Sequence, residues 1–239
     1  MKKSIEMNDH MKTPKIGDSA PTFEARTTGG EISFPNDYKG KWVLFFSHPA
    51  DFTPICTSEF MAVAAMSEQL AKVNCAIVGL SCDTLRSHVE WLNRIKNNVA
   101  YKGMENVEVD FPIVADWSKE ISNQYGLIHP EEDVSRAVRA VFIIDPNGII
   151  RLISYYPNSI GRDMQEVYRS IIALQVSEKF KVLLPGGWQP GDDVIDPEAM
   201  EKAAMGHRDT IPKGTTEHDW FFWTRKLSKK KVMDALSIH

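Results

Sequence analysis

Trp42-Val43-Leu44-Phe45-Phe46-Ser47 runs directly into His48-Pro49-Ala50-Asp51-Phe52-Thr53-Pro54-Ile55-Cys56-Thr57-Ser58-Glu59, an apolar segment followed by a proline-bearing loop and a cysteine. An unbroken apolar run of this length suits a strand buried on both faces. Beyond the loop, Phe60, Val63, Ala64, Ser67, Leu70 and Ala71 recur at helical spacing, which predicts an amphipathic helix over residues 57–72. Cys75-Ala76-Ile77-Val78-Gly79-Leu80-Ser81 then reads as a second buried strand. The result is a βαβ unit whose first loop leaves the carboxyl end of a strand, where sites in open α/β sheets are built.

The pattern continues outward from this unit. Asp83 or Thr84 can cap a further helix on which Val89, Leu92 and Ile95 lie near one face. Phe111-Pro112-Ile113-Val114 reads as a short edge strand, because Pro112 cannot donate to a sheet ladder. Residues 140–145 and 149–155 flank Pro146-Asn147-Gly148, a strong hairpin signal. Met164, Val167, Tyr168, Ile171 and Leu174 form another helical stripe. This order implies an α/β fold with a mixed central sheet and helices on both faces.

Past about residue 176 the texture changes: residues 184–197 are rich in Pro, Gly and Asp, and Trp220-Phe221-Phe222-Trp223 sits among charged residues. So short a tail can hardly bury four aromatics alone, and is expected to pack on the core or on a second subunit. Lys229-Lys230-Lys231 is expected to be a solvated helix end. The expected division is a core domain at 12–175 and a C-terminal extension at 176–239.

Composition limits the function classes. The chain has 239 residues, 43% of them apolar and 25% charged, which is ample for a buried core and unlike a disordered chain. Lys and Arg number 28 against 32 Asp and Glu, a net charge of −4, so no overall basic field points to nucleic acid. The longest apolar runs, such as Ala140-Val141-Phe142-Ile143-Ile144, are strand length and too short to span a membrane. The polar residues Met1 to Met11 hold no apolar stretch of a secretory signal, and a reducing cytoplasm is the expected location. Cysteines occur only at 56, 75 and 82: an odd count, with no Cys-x-x-Cys pair for zinc or dithiol chemistry. No metal or cofactor is expected, and any cysteine that matters acts as a thiol.

Cys56 falls at or just inside the first helical turn, where unpaired N–H groups and the helix dipole favour a thiolate. Thr53 can swing its hydroxyl toward the sulfur, while Pro49 and Pro54 stiffen the loop. A buried, inert cysteine at a helix start is the plainer alternative.

Pro49-x-x-x-Thr53-x-x-Cys56 resembles the active-site signature of the peroxiredoxins, thiol peroxidases on a thioredoxin-like fold. The wider phrase from His48 to Glu59 is similar to the peroxiredoxin 6-type branch, which includes archaeal peroxiredoxins and the so-called 1-Cys enzymes. Further matches follow in order: Gly79-Leu80-Ser81-Cys82-Asp83, the run from Arg139 to Asp145, Tyr156-Pro157 with Gly161-Arg162, and Asp219-Trp220-Phe221-Phe222. The resemblance spans about residues 17–226.

The resemblance implies reduction of hydrogen peroxide and small organic hydroperoxides by Cys56, through a sulfenic acid. It implies that Arg139 holds the thiolate and orients peroxide, Thr53 hydrogen-bonds both, and Pro49 shields the pocket. It matches Glu59 to a glutamate that orders the arginines and Arg162 to a second arginine near the pocket. It matches His48 to a histidine that donates to substrate or to the oxidised cysteine. Plainer roles exist for each of these: a surface position for Arg139, a first-turn acid for Glu59, a helix cap for Arg162, a structural histidine for His48. A homodimer formed through the C-terminal extension is implied, with a decameric ring as the larger alternative.

Two departures matter. Trp223 stands about where archaeal relatives carry a resolving cysteine, and no cysteine follows Cys82. A 1-Cys cycle completed by an external thiol reductant is therefore expected, with Cys82 the weaker internal substitute and Cys75 a packed core thiol. Gly17-Asp18-Ser19-Ala20-Pro21 lacks the second glycine of a lipase-like Gly-x-Ser-x-Gly, so phospholipase activity is not expected. The rival reading is a peroxide sensor or holdase chaperone that uses the same oxidisable cysteine without turnover.

Overall fold

The computed structural model describes residues 13–236; the amino-terminal stretch read above for a secretory signal lies outside them, as does residue 12 at the expected domain start. The chain divides into two compact units, Met1–Met164 and Gln165–His239.

In the first unit, β1 (Phe23–Thr27), β2 (Gly30–Phe34), β3 (Trp42–Ser47), β4 (Cys75–Ser81), β5 (Ile113–Ala115), β6 (Arg139–Ile144) and β7 (Ile150–Tyr156) form one mixed sheet in the order β2-β1-β5-β4-β3-β6-β7. β3 lies inside it, parallel to β4 with Trp42 opposite Cys75 and antiparallel to β6 with Phe46 opposite Val141. Every residue of β3 and β6 is buried, as their apolar runs Trp42–Phe46 and Ala140–Ile144 require, and the polar Ser47 and Arg139 are buried with them. Between the strands come α1 (Pro54–Ala65), α2 (Ser67–Lys72), α3 (Leu85–Asn98) and α4 (Glu120–Gln124).

Successive β3 side chains point to opposite faces, so two adjacent phenylalanines reveal the layers. Phe45 meets Tyr125, at the end of α4, at 4.8 Å, and also Phe34 at 5.1 Å. Phe46 packs on Phe60 of α1 at 5.2 Å, and Phe60 on Trp91 of α3 at 4.7 Å. Helices therefore cover both faces.

Several elements differ from expectation. The helix expected over 57–72 starts earlier, with Pro54 in its first turn, and breaks at Met66, whose N–H bonds back to Val63 at 3.0 Å. Leu70 is then buried from a separate short helix, α2. Thr84, not Asp83, caps α3, its hydroxyl accepting from the Ser87 N–H at 3.3 Å. The buried stripe of α3 is His88, Trp91 and Ile95, while Val89 is exposed; a buried polar residue had displaced the apolar face. β5 is an interior strand between β1 and β4. Pro112 lies just ahead of β5, and its carbonyl accepts from Gly79 N–H at 2.9 Å, so its missing donor breaks no ladder bond. The β6–β7 hairpin forms as read, its turn held by Asp145 Oδ1 accepting from Asn147 and Ile149 N–H at 2.9 and 3.0 Å.

The second unit holds α5 (Met164–Phe180), α6 (Pro197–Ala204) and α7 (Lys229–Ala235) with a small sheet of β8 (Val194–Ile195), β10 (Phe222–Arg225) and β9 (Thr215–Asp219), in that order. Of its aromatics, Trp188 and Trp223 are buried, whereas Trp220 and Phe221, at the β9–β10 turn, are exposed. Lys229, Lys230 and Lys231 open α7 and are exposed, with Ser228 as the cap. Among the described residues, no helix is long and apolar enough to cross a membrane.

Phe45 is fully buried at the centre of the aromatic cluster. Phe45→Ala is expected to lower unfolding free energy by about 3–5 kcal/mol in denaturant titrations, because the cavity it leaves is enclosed by packed rings.

Candidate functional site

Parallel pairing puts the carboxyl ends of β3 and β4 at one edge of the sheet, and the loop 48–53 leaves from that edge. Thr53 takes the extended backbone of an N-cap, and Pro54, whose missing N–H is no loss there, opens α1. Cys56 is therefore in the first turn, among N–H groups that the helix itself leaves unpaired. Its thiol is free and its side chain fully buried.

Arg139 opens β6 beside it. Its Nη1 donates to Cys56 Sγ at 3.2 Å and to Glu59 Oε2 at 2.8 Å, and its Nη2 donates to Asn158 O at 3.1 Å. Arg139 is 2% exposed, so the surface reading fails and the buried guanidinium has found the partners it needs. Glu59 lies one turn from Cys56 on α1. Oε1 accepts from Arg162 N and Nε at 2.7 and 2.9 Å, and Oε2 accepts from Arg162 Nη2 at 2.8 Å. Arg162 Nη1 completes the set by donating to Ser47 O and Ala140 O at 2.9 and 2.8 Å, which ties the cluster to β3 and β6. Its guanidinium also stands over the Phe46 ring at 5.1 Å. Arg162 is thus a strut that holds Glu59, not a cap for the following helix.

Burial pushes the Glu59 carboxyl up, but the charge and hydrogen bonds of Arg162, and then the charge of Arg139, more than reverse this and hold it below its usual range. With Glu59 ionised, two guanidiniums and one carboxylate leave one positive charge among buried groups. A thiolate at Cys56 cancels it, which is the electrostatic case for an ionised sulfur here.

The remaining expected residues divide. Pro49 is buried in the loop. The Thr53 hydroxyl donates to Ala50 O at 2.8 Å rather than turning to the sulfur, which leaves its lone pairs as acceptors. His48 is buried, and its Nε2 pairs with Asp51 Oδ1 at 3.0 Å. Two residues that sequence reasoning passed over join it: Asp51, and His88 of α3, whose Nδ1 lies 2.9 Å from Asp51 Oδ2. The signal for His88 was its place in an i, i+3, i+7 stripe with Trp91 and Ile95, invisible while only apolar residues were counted. Among the described residues, His48, Asp51 and His88 form a group whose ligand atoms, within 4.8 Å of one another, could hold a metal ion; here those atoms already satisfy one another by hydrogen bonds.

Glu59→Gln is expected to destabilise the protein by about 3–5 kcal/mol at pH 7, because it leaves two buried guanidiniums without their carboxylate. The sign of the pH dependence follows from the lowered carboxyl. Its stabilisation is present in full above the ordinary carboxylate range and is lost as pH falls through the lower folded value. Denaturant melts should show the wild-type advantage over Glu59→Gln undiminished at pH 7 and shrinking only at strongly acid pH.

The AhpC/TSA family model matches residues 16–153, and the model for the C-terminal domain of 1-Cys peroxiredoxin matches residues 173–207. A peroxiredoxin of Methanosarcina mazei is 49% identical over 221 residues, covering 91% of this chain and 100% of that protein. A peroxiredoxin of Aquifex aeolicus is 42% identical over 86% of this chain and 88% of that one. Among solved structures, a yeast mitochondrial 1-Cys peroxiredoxin, studied for thiol resolving via glutathione/thioredoxin systems, superposes with a TM-score of 0.77 at 35% identity, over 90% of this chain and 100% of that one. A mutant of the peroxiredoxin 6 of Arenicola marina gives a TM-score of 0.78 at 29% identity, over 90% and 99%. With its mixed thioredoxin-like sheet and its matched C-terminal segment, the chain belongs to the AhpC/TSA family, in the 1-Cys, peroxiredoxin 6-type branch of the peroxiredoxins.

Proposed function

We propose that this chain is a thiol-dependent peroxidase that reduces hydrogen peroxide and small alkyl hydroperoxides at Cys56. The observation that carries the reading is Arg139 Nη1 at 3.2 Å from Cys56 Sγ, within a buried network whose charges balance when the sulfur is a thiolate. The thiolate attacks one peroxide oxygen: the S–O bond forms, the O–O bond breaks, and the departing oxide takes a proton and leaves as water or alcohol. Cys56 remains as a sulfenic acid. Arg139 holds the charge and orients the peroxide, and Thr53, its proton committed to Ala50 O, accepts the peroxide O–H. Pro49 keeps water from the sulfur. Glu59 aims Arg139, and Arg162 holds Glu59.

Regeneration comes from outside. An external thiol attacks the sulfenic sulfur and releases water, and a second thiol frees Cys56 as the reductant becomes a disulfide. No cysteine follows Cys82. Burial pushes the Cys75 thiol up to about 12, so it supplies no thiolate at neutral pH. Burial also raises the Cys82 thiol, which lies 3.5 Å from Ser122 Oγ. Neither is poised as a resolving partner, which favours the 1-Cys cycle. Thioredoxin-type proteins, glutathione and small thiols are candidate donors, the cytoplasm is the proposed location, and a homodimer, extended to a decamer as the larger alternative, is the proposed assembly.

Cys56→Ser is expected to abolish peroxide consumption with a thiol donor, whereas Cys75→Ser and Cys82→Ser keep it near wild type. Repeated turnover separates the peroxidase from a sensor or holdase, which would consume one equivalent and stop. Intact-mass analysis after one equivalent of peroxide should show one added oxygen on Cys56. A loss of two hydrogens, with a Cys56–Cys82 linkage, would instead overturn the 1-Cys cycle.

A further inference from the structure

One short loop, besides Glu59, holds both arginines of the site. It follows β7 as Pro157-Asn158-Ser159-Ile160-Gly161-Arg162. Tyr156, the last residue of β7, lies opposite Arg139 in the β6–β7 hairpin. Two residues on, the Asn158 carbonyl accepts from Arg139 Nη2 at 3.1 Å and from Nε at 3.4 Å. Four residues further, the Arg162 N–H donates to Glu59 Oε1 at 2.7 Å. Between these two anchors the chain closes on itself, with Ile160 N–H donating to Pro157 O at 3.3 Å. A turn closed in this way moves as one piece, so its distance from α1 sets the place of both arginines at once.

Gly161 is where this loop comes down on α1. Its φ lies outside the left-handed region, so the turn itself does not call for a glycine. Space does. A methyl group on its Cα would stand 3.2 Å from Ile55 Cγ2, 3.8 Å from Glu59 Oε1 and 3.9 Å from Glu59 Cγ. The two approaches to Glu59 are ordinary van der Waals contacts. The approach to Ile55 is too close, and one side must yield by a few tenths of an ångström.

Ile55 is the stiffer side. Its β-branched side chain has restricted χ1 freedom. It sits between Pro54 and Cys56 in a first turn that Thr57 Oγ1 fastens by donating to Thr53 O at 2.8 Å. The loop has solvent above it: Ser159 and Ile160 are exposed. A side chain at 161 therefore lifts the loop rather than displacing the helix. Lifting lengthens the bond from Arg162 N–H to Glu59 and draws the Asn158 carbonyl away, and these are the contacts that aim Arg139 Nη1 at Cys56 Sγ, 3.2 Å away.

We propose that Gly161 is a positioning residue for the oxidation of Cys56. Having no side chain, it lets the loop 157–162 seat against Ile55, and the seated loop brings Arg139 and Arg162 onto Glu59 together. This rests on the peroxidase reading and adds to it a residue that acts only through the two arginines. With the loop held off α1, every charged group is still present, but Arg139 is misaimed and Cys56 reacts more slowly.

The test is a two-residue cycle, read as the stopped-flow rate at which hydrogen peroxide oxidises Cys56 in a single turnover. Gly161→Ala is expected to slow oxidation by about tenfold, the equivalent of one weakened hydrogen bond between charged groups. Ile55→Ala removes Cγ2 and is expected to stay within about twofold of wild type, and the double variant Ile55→Ala/Gly161→Ala to return to that level. A Gly161→Ala protein oxidised at the wild-type rate would overturn the proposal, and so would a double variant as slow as Gly161→Ala alone. Proton–nitrogen NMR of the arginine Nε–H groups gives a second readout. The Arg139 and Arg162 signals are expected to move in Gly161→Ala and to return in the double variant; signals that stay in place contradict the proposal. Should Gly161→Ala not fold, the double variant carries the test, folded and near wild type if the contact with Ile55 is the cause, and unfolded if it is not. If wild-type Cys56 is itself not oxidised, the peroxidase reading fails, while the arginine signals still decide whether Gly161 seats the two arginines.

Discussion

Glu59 between two buried arginines is the interaction on which the site depends. One carboxylate accepts four hydrogen bonds, three from Arg162 and one from Arg139. Through Arg162 it is fastened to the backbone of β3 and β6, and through Arg139 it reaches the sulfur of Cys56. Removing Glu59 leaves two buried guanidiniums uncompensated, which is why the cluster depends on that one carboxylate. The two guanidiniums outnumber the one carboxylate, and the nearer of them, Arg139, donates to the Cys56 sulfur.

The fold supplies the frame for that cluster. β3 is buried on both faces and ends where α1 begins, so the strand that anchors Arg162 and the helix that carries Cys56 and Glu59 are joined by one short loop. Proline at the start of α1 sets the first turn, and Thr53 is held to Ala50 rather than left free to bond elsewhere. On the underside of α1, Trp91 and Phe60 pack around His48, and Asp51 links that ring to α3. The helix is thus braced by an ion network at one side and by an aromatic and imidazole cluster at another.

How much of this was legible depends on what kind of signal each element carried. The bounds of β3 and β4 were readable because double burial leaves an unbroken apolar run, and the β6–β7 hairpin because Asn147-Gly148 names its turn. The β1–β2 hairpin was missed, since only part of each strand is buried and no apolar run marks it. The position of β5 was misjudged because a proline beside a strand was taken for one inside its ladder. The face of α3 was misjudged because His88 is buried by a hydrogen bond, not by hydrophobicity. Contacts across 80 and 103 residues, Arg139 and Arg162 with Glu59, leave no local trace. Those residues were found through the resemblance, and Asp51 and His88, to which it gave no role, were not.

The central claim is that Glu59 sets the reactivity of Cys56 by holding Arg139 against the sulfur. The direct measurement is the stopped-flow rate at which hydrogen peroxide oxidises Cys56 in a single turnover, in wild type and in folded Glu59→Gln. The account predicts a rate lower by roughly 100-fold in the variant, the scale of losing one preorganised charge-stabilising donor. A Glu59→Gln protein that is folded, reduced and oxidised at the wild-type rate would contradict it.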